Sequence, residues 1–193
     1  INKFLKKRKK ININSNMVLR VNSLFRYFKS KIDKKKVYYI EADYIWGRKK
    51  KLFEWRSKIK DYSLTLGAGI HMIDLVMWLT NLKPISVHAF ANKKATQGTN
   101  FKKNSLIVMM FKFPKNILVK ISANGVASYK HYHELKIYSK NNTLLNSIFG
   151  SYEYKNNKFI KNKSSYPDKK NRKKLIQNFL NNLLNRNVKP LIS

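Results

Sequence analysis

Apolar residues recur along this chain with two different periods. Between Asn22 and Lys35, Leu24, Phe25, Phe28 and Ile32 fall on one side of a 3.6-residue helix. Leu175, Ile176, Phe179, Leu180, Leu183 and Leu184 repeat the pattern near the end, before Asn185–Lys189 and Pro190. A third helix is predicted over Gly69–Asn81, where Ile, Met, Leu, Val and Trp dominate. Runs of β-branched and aromatic residues predict strands over Val37–Trp46, Ile85–Lys93, Ser105–Phe113, Ile117–Asn124, His133–Ser139 and Thr143–Phe149. Ser151–Ile160 adds a short pair. Pro114-Lys115-Asn116 and Lys140-Asn141-Asn142 have the composition of hairpin turns. Period-2 alternation also predicts a strand over Ile11–Val18, and Ile1–Lys10 reads as a basic helix end. Gly47–Tyr62 and Asn162–Lys174 are polar and read as loops, the first a long loop over a site.

Helix and strand alternate early, and strands dominate later. This order predicts an α+β fold: a largely antiparallel open sheet with helices on one face, preceded by the tail of a βα unit. The uncovered sheet face is then free to meet a partner such as a second subunit.

Composition narrows the function classes. The 193 residues are 43% hydrophobic and 13% aromatic, enough for a packed core. There is no Cys, which excludes disulfide scaffolds, thiolate nucleophiles and Cys-ligated metals, and fits a cytoplasmic setting. The formal charge of +33 alone points to a polyanion partner. Lys far outnumbers Arg, however, and Asn and Ile are abundant, a bias that A/T-rich codons produce without any partner. Readers of nucleic acid rely on the bidentate Arg fork, so a nucleic-acid role is disfavoured. No apolar run reaches the ~20 residues of a membrane span, and no membrane partner is expected. The chain opens on Ile, and its Lys-Lys-Arg-Lys-Lys lacks the apolar core of a signal peptide, so it is expected to begin inside a longer polypeptide.

Gly67-Ala68-Gly69 reads as a small-residue turn entering the third helix, whose first turns carry His71 and Asp74. Three residues apart, these share a face, giving a candidate acid–base imidazole with a possible orienting carboxylate. A core His satisfied by a backbone carbonyl is the plainer alternative. His131 and His133, two apart on a strand, share a face; a polar strand entrance is preferred to a metal pair, since no third ligand is evident. G-x-G-x-x-G, Walker, H-E-x-x-H and G-x-S-x-G motifs are all absent.

These residues, in order, carry a resemblance. The run Asn14-Ser-Asn16-Met-Val-Leu-Arg20 comes first, followed by Tyr38–Tyr44 with Gly47-Arg48, then Trp55-Arg56 and Tyr62-Ser63. Gly69-Ile-His71-Met-Ile-Asp74-Leu-Val-Met-Trp78-Leu follows, then Pro84, Asn92-Lys93, Lys120–Asn124 and His131-Tyr-His133. Together they resemble the Gfo/Idh/MocA oxidoreductases from about Ile11 onward. The resemblance implies an NAD- or NADP-dependent enzyme exchanging hydride with a sugar, polyol or nucleotide sugar. Residues 1–21 would be the end of a Rossmann domain, and residues 22–193 a C-terminal domain, incomplete at its end, for substrate and oligomerisation. It places His71 as the catalytic His, and Asn16, Arg20, Tyr44, Trp55 and Arg56 around the substrate. Asp74 is expected to be structural and Trp78 core. No metal site and no cofactor-binding residue is expected within the chain, and the family's catalytic Lys is absent. A homo-oligomer through the open sheet face is implied. Many members carry Asp or Asn where this chain has Gly67. Taken alone, the chain is expected to be inactive, because a cofactor without a cradle is not positioned. The competing classes are a non-catalytic oligomerisation module and a Lys-rich polyanion or nucleic-acid binder.

Overall fold

The computed structural model describes residues 15–164, 166–167, 170–184 and 188. Eight strands form one sheet: β1 Val37–Ile45, β2 Ser86–Asn92, β3 Leu106–Phe113, β4 Ile117–Asn124, β5 Tyr132–Ser139, β6 Thr143–Ser147, β7 Gly150–Lys155 and β8 Lys158–Lys161. Their spatial order is β2-β3-β4-β1-β5-β6-β7-β8. Only the β1–β4 pair is parallel; every other neighbour is antiparallel. Four helical segments accompany it: α1 Ser23–Lys31, α2 Lys49–Lys51 continued by a π turn Leu52–Arg56, α3 Ile70–Thr80 preceded by a π turn Thr65–Gly69, and α4 Asn171–Leu184. The expected α+β architecture is the observed one.

Alternation along the strands divides the sheet into two faces. Ile40, Ala42 and Tyr44 of β1 point to the covered face, as do Met109 and Phe111 of β3, Val119, Ile121 and Ala123 of β4, and Leu135 and Ile137 of β5. Leu24, Phe25 and Phe28 of α1 and Met72, Leu75, Val76 and Leu79 of α3 close the same core. Each such Leu or Phe contributes about 1.5–3 kcal/mol by leaving water. Helix ends follow local chemistry. The buried Asn22 side chain caps α1 by accepting from the Leu24 amide at 2.9 Å. Left-handed Asn81 (φ 54°) terminates α3. Left-handed Lys115 and Asn116 turn β3 into β4, and left-handed Asn156 and Asn157 turn β7 into β8.

The opposite sheet face carries no helix of the described residues. On it Asp43 pairs with Lys120 (2.9 Å) and Glu41 with Lys136 (3.3 Å), beside the stacked rings of Tyr39 and Tyr138. No helix among the described residues is long and apolar enough to cross a membrane.

Two expected elements differ. Residues 1–14 of the Ile1–Lys10 helix and the Ile11–Val18 strand lie outside the described residues. The described remainder of that strand is irregular and then curls into a 3-10 turn, Val18–Val21. Burial of Leu19 and Val21 accounts for this, with Val21 packing on Leu175 of α4. Gly47–Tyr62 is not a loop throughout: residues 49–56 are helical, anchored by the buried Leu52.

Candidate active site

β1 ends on the covered face at Tyr44, and the register places His133 of β5 directly opposite it. Tyr44 is therefore the hub of an aromatic cluster. Its ring lies 4.6 Å from His133 and 5.5 Å from His131, and it stacks on His71 of α3 at 5.9 Å and 19°. His131 and His133 meet edge to face at 5.3 Å. His133 Nδ1 shares a hydrogen bond with the Tyr166 hydroxyl. These rings form one wall of a cleft of about 680 Å³. Asn16, Arg48, Lys51, Arg56, Gly67 and Arg172 are among its other lining residues.

All three imidazoles are held neutral. Burial is the first cause for His71, whose pKa is lowered; Asp74 opposes the shift, while Arg56 and Arg172 add to it. His131 is pushed down to about 4 by burial and then by Arg48, and His133 to about 3 by burial and then by its imidazole neighbours. Nδ1 of His71 is buried without a hydrogen-bond partner among the described residues.

Asp74 does not orient His71. Both of its oxygens accept from Arg20, Oδ2 from Nε at 2.8 Å and Oδ1 from Nη2. This ion pair ties the 3-10 turn Val18–Val21 to α3, the structural role expected of Asp74. Trp78 packs at the margin of the core, with the Lys29 ammonium 4.1 Å above its ring.

Arg56 projects from the π turn ending α2 into an aromatic cage. Its guanidinium lies 4.2 Å from the Trp46 ring, 4.6 Å from Trp55 and 5.2 Å from Tyr62. Nη1 donates to the Tyr62 hydroxyl at 2.9 Å. Tyr62 in turn explains Gly67. A Cβ there would stand 2.2 Å from the Tyr62 oxygen and 2.4 Å from its ring, so the ring occupies the space of any side chain. Gly67-Ala68-Gly69 is thus not a free turn but part of a π turn continuous with α3.

Of the sequence-predicted residues, Asn16, Tyr44, Arg56 and His71 meet at the cleft. Arg20 is not among the lining residues and is committed to Asp74, and half-exposed Trp55 stacks against Arg56. Sequence reasoning missed Trp46, Arg48, Lys51, Asn171 and Arg172, and set aside His131 and His133, which line the cleft too. The i, i+2 spacing of those two histidines was the available signal. Among the described residues no three His, Asp or Glu side chains are placed to hold a metal ion.

A family model described as the GFO/IDH/MocA C-terminal domain matches residues 35–145. No curated protein matches by sequence. Solved structures share the fold at low identity. UDP-N-acetylglucosamine 3-dehydrogenase from Acidithiobacillus ferrooxidans is 17% identical with a TM-score of 0.72, over 92% of this chain and 54% of that one. Scyllo-inositol dehydrogenase from Lactobacillus casei, solved with NAD(H) and scyllo-inositol, gives 16% and 0.68 over 95% and 58%. The super-repressor mutant of Gal80p from Saccharomyces cerevisiae gives 16% and 0.72 over 100% and 57%. The chain thus spans little more than half the length of these structures. With residues 35–145 matched and the open-sheet fold shared, the chain belongs to the Gfo/Idh/MocA oxidoreductase family, of which it carries the C-terminal domain.

Proposed function

We propose that this chain forms the substrate side of an NAD(P)-dependent dehydrogenase acting on a secondary alcohol of a sugar or polyol, with His71 as the group that takes the hydroxyl proton. The observation that carries this is a neutral imidazole on the wall of a cleft of about 680 Å³ that is lined by polar and aromatic side chains. Because Nδ1 is buried, Nε2 is the nitrogen left to meet a substrate hydroxyl. A neutral imidazole accepts that proton as the carbinol carbon gives up hydride. Burial, and after it Arg56 and Arg172, disfavours the imidazolium so formed, while Asp74, one turn on, favours it, so the ring releases the proton to solvent at the open cleft. Tyr44 holds the ring by stacking, and Asn16 and Arg56 border the substrate. Bound nicotinamide supplies the hydride acceptor or donor. Among the described residues no glycine-rich strand–helix turn is present to hold it, so this chain's part is to bind, orient and deprotonate the alcohol.

Histidine-ring NMR tests the reading. Adding a sugar or polyol should move the signals of His71 and His131 and leave His88, exposed on edge strand β2, in place. Unmoved His71 signals, or equal movement of His88, would overturn it.

We infer further that the uncovered sheet face packs against a second copy. Phe90 (80% exposed), Met110 and Leu118 form apolar ground there around the paired charges. Sedimentation should give a dimer or larger assembly; a stable monomer would contradict this.

A further inference from the structure

We propose that the His71 cleft selects a substrate that carries a phosphate or carboxylate group, held by Arg56 and the rim cations Arg48, Lys51 and Arg172, while a hydroxyl of the same molecule meets His71. This rests on the dehydrogenase reading and adds to it the chemical class of the substrate.

Three observations support it. Among the described residues the cleft is lined by four cationic side chains and by no Asp or Glu. Elsewhere carboxylates are matched to cations, as in Asp43–Lys120, Glu41–Lys136 and Asp74–Arg20. No described carboxylate forms an ion pair with Arg48, Lys51, Arg56 or Arg172. The overall Lys bias does not account for the cleft, because its cations are mainly arginines. The sequence has only seven Arg among 42 basic residues, yet Arg48, Arg56 and Arg172 all line this one cavity. The planar guanidinium fork is the group that matches phosphate and carboxylate oxygens two at a time.

The third observation is an excess of donors. Among the described residues Arg56 Nε and Trp46 Nε1 are buried without an acceptor, and both groups can only donate. These two N–H groups are themselves sealed from the cleft, but they show that the packing around Arg56 is short of acceptors. A hydroxyl-only polyol brings no charge to oppose the cluster. A second cavity of about 380 Å³ shares His131, Tyr166 and Pro167 with the cleft and adds Lys130, Lys161 and Lys163. That second cavity offers three further lysines to a longer anion.

The test is isothermal titration calorimetry on the 193-residue chain at 150 mM salt. The probes are glucose 6-phosphate, glucuronate, a UDP-linked sugar, glucose and myo-inositol. At least one anionic probe should bind one to one and about ten-fold or more tighter than the neutral ones, a difference of about 1.4 kcal/mol. Arg56→Met should remove about ten-fold of that affinity, and Arg56→Lys should restore only part, because charge remains while the fork is lost. Arg48→Met, at the exposed rim, provides a second loss should Arg56→Met fail to fold by circular dichroism. Arg26→Met, exposed on α1, should change nothing. Tighter binding of the UDP-linked sugar that Lys161→Met weakens would assign the anion to a diphosphate reaching the second cavity. Equal affinity would assign it to a compact sugar phosphate or uronate. Equal binding of neutral and anionic probes, no binding of any probe to the folded chain, or equal losses in Arg26→Met and Arg56→Met would overturn the proposal. With the chain joined to a nucleotide-binding domain, anionic sugars bound without hydride transfer would sink the dehydrogenase reading alone; hydride transfer confined to neutral polyols would sink this one alone.

Discussion

Gly67→Ala is ordinarily a stabilising change inside a helix, worth about 1 kcal/mol by propensity. Here the new methyl would stand 2.2 Å from the Tyr62 oxygen and 2.5 Å from the ring carbon bearing it. The ring must swing away, and three contacts weaken with it. The hydrogen bond from Arg56, at 2.9 Å, is worth about 1.5–3 kcal/mol with a charged donor. The guanidinium at 5.2 Å from the Tyr62 ring adds about 0.5–1 kcal/mol. The edge-to-face contact with Phe101 at 6.0 Å adds about 0.5–1.5 kcal/mol. Since Arg56 and Tyr62 are only half-buried, we take the lower part of these ranges. After the propensity gain, Gly67→Ala should destabilise by about 1–3 kcal/mol. Urea unfolding of Gly67→Ala, Tyr62→Ala and the double variant decides it. In the Tyr62→Ala background the same Gly67→Ala change should become stabilising, by about 0.5–1 kcal/mol. A loss of equal size in both backgrounds, or a gain in the wild type, would refute the claim that the Tyr62 ring fills the position.

Asp74→Ala strands the partly buried Arg20 guanidinium and unties the Val18–Val21 turn from α3; thermal unfolding should show a loss of about 2 kcal/mol, less than for a fully buried pair. Stability should also fall on acidification. His131 (about 4) and His133 (about 3) sit well below the unfolded value of about 6.5. As pH drops below 6.5 the unfolded chain binds protons that the fold refuses, so their contribution is complete above pH 6.5. It is lost towards pH 4 and then 3, by up to about 1.4 kcal/mol per unit for each imidazole. Urea midpoints should follow that slope, and His133→Gln should flatten it; ring titrations near 6.5 would contradict it. Gly47→Ala should cost more than about 2 kcal/mol and disturb His131, because its Cβ would lie 2.0 Å from the Tyr129 carbonyl oxygen and 2.8 Å from the His131 nitrogen, both rigid backbone.

The legibility of this fold was uneven for physical reasons. Strands β1, β3, β4 and β5 bury one face, so their alternation was readable, and α1 and α3 declared themselves through apolar stripes or runs. α2 did not, because Leu52 is its one buried anchor in a stretch of Lys, Glu and Arg. The strand expected at Ile11–Val18 rested on alternation that, over residues 15–18, tertiary burial of Leu19 and Val21 overrides. In the site, His71 was visible as an imidazole on an apolar helix. Of its company, Asn16, Tyr44 and Arg56 came only from the resemblance, and His131, His133 and Arg172 were not placed there. The meeting of His71, Tyr44 and His133 depends on the β1–β5 register, and Arg172 arrives from a helix a hundred residues further along. The commitment of Arg20 to Asp74 is likewise a pairing across 54 residues that spacing could not reveal.

Removal of a substrate hydroxyl proton by the His71 imidazole can be tested in turnover. The most direct measurement is hydride transfer from a carbon-deuterated substrate to NAD or NADP by this chain joined to a nucleotide-binding domain, comparing wild type with His71→Asn. With His71 as the proton acceptor, kcat should fall by about 10²–10⁴-fold in the variant while substrate still binds. Unchanged kcat in His71→Asn, with substrate bound in the cleft, would contradict it.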